Sequence, residues 1–199
     1  MDPDYPEVWR LSSIARLLRD GAVGVVPTDT VYTFVCSIDS RTAIERLYRL
    51  KQMDARKPLS ILCRDMSMMS RYTRSLSSSA FRALRRCLPG PYTFIFKASS
   101  EVPRIMLRKR RTIGVRIPDD EICTALLQEL ELPLLCSSVR TPDDSFWNNP
   151  AEISEKHKGR LDFVVDGGER LADPSTVIDY TERSPEIIRA GKGDISLFE

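Results

Sequence analysis

Apolar positions along this chain recur at helical spacing in some stretches and in short unbroken runs in others, and the two alternate. Leu11, Ile14, Leu17 and Leu18 share one helical face, and Gly21 ends that helix. The run Ala22-Val23-Gly24-Val25-Val26 is apolar throughout and reads as a buried strand. Ser40 is placed to cap a second helix with Ile44, Leu47 and Tyr48 on its inner face. Residues 58–63 form the next strand, and a helix over 80–88 is closed by Pro89-Gly90-Pro91. Residues 92–96 and 112–117 are strands; Pro118-Asp119-Asp120 opens a helix that runs through Leu130, and 133–139 is a strand again. Residues 140–150 make the one long polar loop, before three closely spaced strands over 163–165, 176–179 and 186–189. Strands interleaved with helices predict an α/β fold, and the late strands predict a mixed sheet with antiparallel members.

Neither a repeat nor a low-complexity linker interrupts this pattern, so the 199 residues are expected to form one domain. A net charge of +2, from 30 basic and 28 acidic residues, excludes a histone-like polycation. Any charged partner must be argued from where charge sits. Cys36, Cys63, Cys87, Cys123 and Cys136 are scattered, with no Cys-x-x-Cys pair, which argues against a disulfide framework and against a zinc site. They read as reduced, buried thiols. No apolar run approaches the ~20 residues that span a bilayer, so no membrane role is expected. The acidic, proline-containing start resembles neither a secretory signal nor an Arg-rich transit peptide. A cytoplasmic chain is expected, with the mature part of an organellar protein as the alternative.

Candidate chemistry starts where the first strand ends. Pro27-Thr28-Asp29-Thr30-Val31-Tyr32 delivers two hydroxyls, a carboxylate and a phenol to a strand terminus, where open α/β sheets bind ligands. His157 is the one histidine and lies in the solvated-looking stretch Glu155-Lys156-His157-Lys158, which removes histidine triads and His-rich metal sites. A Walker loop and a G-x-G-x-x-G turn are both missing. Lys51, Arg116, Ser137, Ser138, Ser175, Thr176 and Arg189 remain, at helix or strand ends. Hydroxyls with isolated cations suit phosphate or carboxylate; surface ion pairing is the plainer role for the cations.

The stretch 21–189 resembles the YrdC/YciO family, whose best-studied members are L-threonylcarbamoyladenylate synthases. The resemblance rests on Pro27 to Tyr32, Lys51, Lys57-Pro58-Leu59, Leu88-Pro89-Gly90-Pro91-Tyr92-Thr93-Phe94 and Ile113-Gly114-Val115-Arg116-Ile117-Pro118. Pro133-Leu134, Asp166-Gly167-Gly168, Pro174-Ser175-Thr176-Val177-Ile178-Asp179 and Ile188-Arg189-Ala190-Gly191 continue it in the family's order. It implies a twisted mixed sheet flanked by helices with a basic concave face. It also implies a synthase joining L-threonine, bicarbonate and ATP into threonylcarbamoyl-AMP, the donor for t6A in tRNA. Thr30, Arg116 and Ser175 would hold threonine or bicarbonate. Lys51, Lys57, Thr112, Ser138 and Arg189 would contact ATP, and Lys51 and Arg116 would carry the catalysis. Mg²⁺ would arrive with the ATP rather than in a protein-bound metal site.

At four positions the chain departs from the synthases. Met53 replaces the Arg of Lys-x-Arg, Arg140 replaces the Asn of Ser-x-Asn, and Leu62 and Thr33 replace a His and a Gly. These changes resemble the YciO branch, and they leave open an RNA- or nucleotide-binding protein without turnover. The run Leu107-Arg108-Lys109-Arg110-Arg111 reads as a solvated loop, with tRNA or double-stranded RNA phosphates as its alternative partner.

Overall fold

The computed structural model describes residues 8–51, 59–74, 76–107, 111–171, 173–182 and 184–198. Short polar residues start most of its helices. Ser40 accepts from the Ala43 amide at 3.3 Å and opens α2 (Arg41–Leu50). Asp65 and Ser77 cap α3 (Met66–Tyr72) and α4 (Ser78–Cys87). Asp120 caps α5 (Glu121–Leu130) through the Cys123 amide at 2.9 Å, and Asn149 caps α6 (Pro150–Lys156). Each such cap satisfies an orphan helix donor and contributes ~1 kcal/mol. The first helix, α1 (Val8–Arg19), is followed by Gly21 at φ +92°, a left-handed backbone suited to glycine.

Nine strands form one mixed sheet. They are β1 (Val23–Val26), β2 (Thr33–Ser37), β3 (Ser60–Leu62), β4 (Tyr92–Lys97), β5 (Thr112–Arg116), β6 (Leu134–Ser138), β7 (Phe163–Val164), β8 (Thr176–Asp179) and β9 (Glu186–Arg189). Their order is β7-β1-β2-β6-β3-β5-β4-β8-β9. The pairs β1–β7, β3–β5 and β4–β8 are parallel and the rest antiparallel.

Register sorts the side chains onto two faces, because directly opposed residues point the same way. On one face Cys36, Leu135, Ile61, Val115, Phe94 and Ile178 line up across β2, β6, β3, β5, β4 and β8. That face is covered by Ile44 and Leu47 of α2, Met68 and Met69 of α3, and Leu84 of α4. On the other, Leu11, Ala15 and Leu18 of α1 and Ile122, Leu126 and Leu127 of α5 cover Val26, Val35, Leu62 and Leu134. Burial of one such side chain contributes ~1.5–3 kcal/mol. These two helices shield the half of the second face toward β1; the half toward β4 and β8 carries the cavity described below.

The mixed α/β sheet expected from the pattern is present, with three local differences. Thr33–Ser37 forms a strand that the apolar pattern does not reveal, since all five residues are buried and show no alternation. Tyr32 is fully buried rather than on a binding rim; its Oη donates to the Gly168 carbonyl at 2.7 Å and accepts from the Gly167 amide at 3.1 Å. His157 is not a solvated helix end: it follows α6 and sets its ring edge-on to Phe34 at 5.2 Å. No helix among the described residues is long and apolar enough to cross a membrane.

Candidate functional site

The cavity on the open half of the second face follows from residue size. Ser60, Gly114 and Cys136 are neighbours in register across β3, β5 and β6, and Thr33 and Thr93 extend the same floor. Small side chains leave a volume of about 310 Å³, at the low end of the ~300–1,000 Å³ usual for ligand clefts. A Cβ at Gly114 would run into Ser60 Oγ, so the floor is already at its limit. Arg116, Ser138, Ser175 and Arg189 complete the walls, and the described lining contains no carboxylate. Cys136 also lines it, but burial pushes its thiol up to about 12, which removes it as a nucleophile at neutral pH.

Arg116 is 6% exposed and Asp29 7%. Arg116 Nη2 donates to Asp29 Oδ1 at 2.8 Å and to Thr30 Oγ1 at 2.9 Å. Thr28 Oγ1 donates to the Val31 carbonyl at 2.7 Å, so in its 3.0 Å contact with Thr30 the proton comes from Thr30. Thr30 therefore spends its donor on Thr28 and its lone pair on Arg116. It fixes the guanidinium from behind. Arg116 Nε and Asp29 Oδ2 are buried and accept or donate no hydrogen bond of normal geometry among the described residues. Burial raises the Asp29 pKa, outweighing Arg116, the Asp119 backbone and Lys192, which pull it down.

On the opposite wall Arg189 grips the Ser175 carbonyl through Nη2 at 2.7 Å and Nε at 3.1 Å, and reaches Ser175 Oγ at 3.2 Å. Ser175 Oγ lies 2.8 Å from Thr93 Oγ1. One hydroxyl of that buried pair must donate to the other, which leaves one proton for a ligand oxygen. Burial, then the Arg140 and Arg116 charges, lower the Arg189 pKa. Cations that repel one another in an acid-free cavity favour an anionic ligand.

Arg116, Ser138, Ser175 and Arg189 thus meet at one cavity, with Thr30 one layer behind. Lys51 stands elsewhere. It closes α2, donates from Nζ to Ser137 Oγ and the Ser138 carbonyl at 2.6 Å each, and lies 5.8 Å over the Phe34 ring. Thr112 opens β5 opposite Lys97, outside the lining. Lys57, Met53 and the run Arg108 to Arg110 lie outside the described residues. Arg140 pairs with Asp144 at 2.9 Å and stacks 4.5 Å over Phe146. Sequence reasoning missed Ser60, Gly114 and Thr93, whose signal is a set of small residues at alternate strand positions. It also missed Lys192, which donates to the Asp29 carbonyl at 2.6 Å, and nothing local points to it. Among the described residues no group of three His, Cys, Asp or Glu is arranged to hold a metal ion.

The family model for Sua5, YciO and YrdC proteins, described as "Telomere recombination", matches residues 16–191. This chain belongs to the Sua5/YciO/YrdC family. YciO of Escherichia coli K12, whose name records it as uncharacterized, is 37% identical over 198 residues, covering 98% of this chain and 96% of that protein. The crystal structure of E. coli YciO superposes with a TM-score of 0.94 at 36% identity, over 100% of this chain and 97% of that one. A Pyrococcus abyssi protein named threonylcarbamoyl-AMP synthase is 29% identical, covering 93% of this chain and 55% of that protein. P. abyssi Sua5 complexed with L-threonine gives a TM-score of 0.88 at 28% identity, over 94% of this chain and 55% of that one. Vibrio vulnificus threonylcarbamoyl-AMP synthase is 27% identical over 92% of this chain and its own full length.

Proposed function

We propose that the cavity binds L-threonine, bicarbonate and ATP and forms threonylcarbamoyl-AMP. The observation that carries this reading is Arg116, buried beside an acid-free cavity with its Nε unspent. The fold shared with P. abyssi Sua5 complexed with L-threonine supports it. In the reaction the threonine amine attacks bicarbonate, a C–N bond forms and water leaves, giving a carbamate. A carbamate oxygen then attacks the α-phosphorus, the bond to the departing phosphate breaks, and pyrophosphate is released. Arg116 and Ser175 bind threonine, with Thr30 orienting Arg116. Ser138 and Arg189 face the phosphates, Lys51 and Lys57 supply charge from the rim, and Thr112 lies toward the nucleotide. Mg²⁺ enters with ATP. Chemistry of this kind relies on positioning and charge neutralisation, and the product is a donor for tRNA modification.

A second reading, nucleotide or RNA binding without turnover, is favoured by one observation. Arg140 stands where synthases carry Asn, is clasped by Asp144 and Phe146, and adds to the cationic repulsion on Arg189. Pyrophosphate release decides between them. The synthase reading expects release from ATP that requires both threonine and bicarbonate, and that stops when either is omitted. ATP binding with no threonine-dependent release would leave the binding reading.

A further inference from the structure

Arg116 and Asp29 pair through one arm of each fork. Arginine and carboxylate commonly meet side by side, with two parallel hydrogen bonds. Here Arg116 Nη2 reaches Asp29 Oδ1 at 2.8 Å, while Arg116 Nε and Asp29 Oδ2 each stay buried without a partner of normal geometry. Both side chains are more than nine-tenths buried. Leaving such a group unmade is costly, and the two left over are complementary in sign: one donor on a cation and one acceptor on an anion. Local contacts explain why they do not satisfy each other. Thr30 holds Nη2 from one side, and Lys192 holds the Asp29 backbone through its carbonyl at 2.6 Å.

A ligand satisfying both must present an anionic oxygen and a cationic N–H a short distance apart. We propose that Asp29 Oδ2 is the receptor for the α-ammonium of an amino acid whose carboxylate lies on Arg116 Nε, so that the pair together selects zwitterionic α-amino acids. This rests on the proposed use of Arg116 for threonine and adds Asp29 to it as the residue that distinguishes an amino acid from the corresponding hydroxy acid. Arg116 lines the cavity and Asp29 lies directly behind it, which places the ammonium at the inner end. The Thr93–Ser175 pair, with its unassigned proton, is left for the ligand's remaining oxygens.

Calorimetric titration with L-threonine and with its deaminated counterpart, 2,3-dihydroxybutanoate, tests this on the full chain. Wild type should bind threonine about 10- to 100-fold more tightly than the hydroxy acid, the scale of one charge-assisted hydrogen bond. Asp29→Asn keeps an oxygen for Arg116 Nη2 but loses the anion; it should bind threonine about as weakly as the hydroxy acid. Equal binding of the two ligands by wild type, or no threonine binding at all, would overturn the assignment, and neither result depends on how the variant folds. Bicarbonate competing with threonine would also overturn it, because bicarbonate offers an anionic oxygen and an O–H to the same two atoms. Pyrophosphate release measured in parallel separates the readings: selective threonine binding without release retires the synthase and keeps the clamp, whereas release with equal binding does the reverse.

Discussion

Burying Arg116 with one edge of its guanidinium unspent costs folding free energy, ~1–3 kcal/mol for an unsatisfied group. The protein carries that cost at the cavity and satisfies its other buried polar groups nearby. Arg170 reaches the Thr28 carbonyl and Asp120, and Tyr32 closes on Gly167 and Gly168. A similar test of burial falls on His157. Burial, then Arg160 and Lys156, lower its pKa below the ordinary 6.5, so the unfolded chain takes up a proton before the folded one does. Stability from this group is therefore complete above 6.5 and is lost as pH falls toward the folded value. Urea unfolding at about pH 7.5 and about pH 5.5 should show a smaller loss of stability for His157→Gln than for wild type. Equal losses would mean that other groups set the acid limit.

At the scale of elements, the cavity exists because one half of a sheet face is built from side chains too small to carry a helix. Leu62 and Leu134 offer apolar area to α1 and α5, and Ser60, Gly114 and Thr93 do not. Gly114→Ala should therefore be destabilising by ~1–3 kcal/mol, as overpacking usually is, since its Cβ meets Ser60 Oγ and approaches Ser60 Cβ at 3.1 Å. Adding Ser60→Gly should recover most of that stability. Denaturant unfolding of the single and double variants measures the coupling; simple additivity of the two losses would rule out the contact. Ser40, Asp120 and the strands β8 and β9 were legible beforehand because caps and short alternating runs depend on neighbours a few residues away. The strand β2 was not, because a central strand buried on both faces loses the alternation that marks one.

Across the whole molecule, β7 borders β1 at one edge of the sheet, and β8 and β9 form the other edge beside β4. Early and late parts of the chain are interleaved in one sheet, so no boundary divides the strands into halves. One cooperative unfolding transition is expected, with far-UV circular dichroism and the fluorescence of Trp9 and Trp147 changing together. Two separated transitions would show that the sheet opens in parts. The apolar pattern by itself determined which segments become helix or strand and that they make a mixed α/β sheet, because those outcomes follow from periodicity and local hydrogen bonds. Family likeness and most of the cavity's polar residues were also legible, as residue types in order. Tertiary structure alone decided which of those residues meet. Lys51 went to Ser137 and Ser138 rather than into the cavity, and Asp29 found Arg116 across 87 positions of chain. Strand register sets the face and the partner of every side chain, and register is fixed only when the distant strands pair.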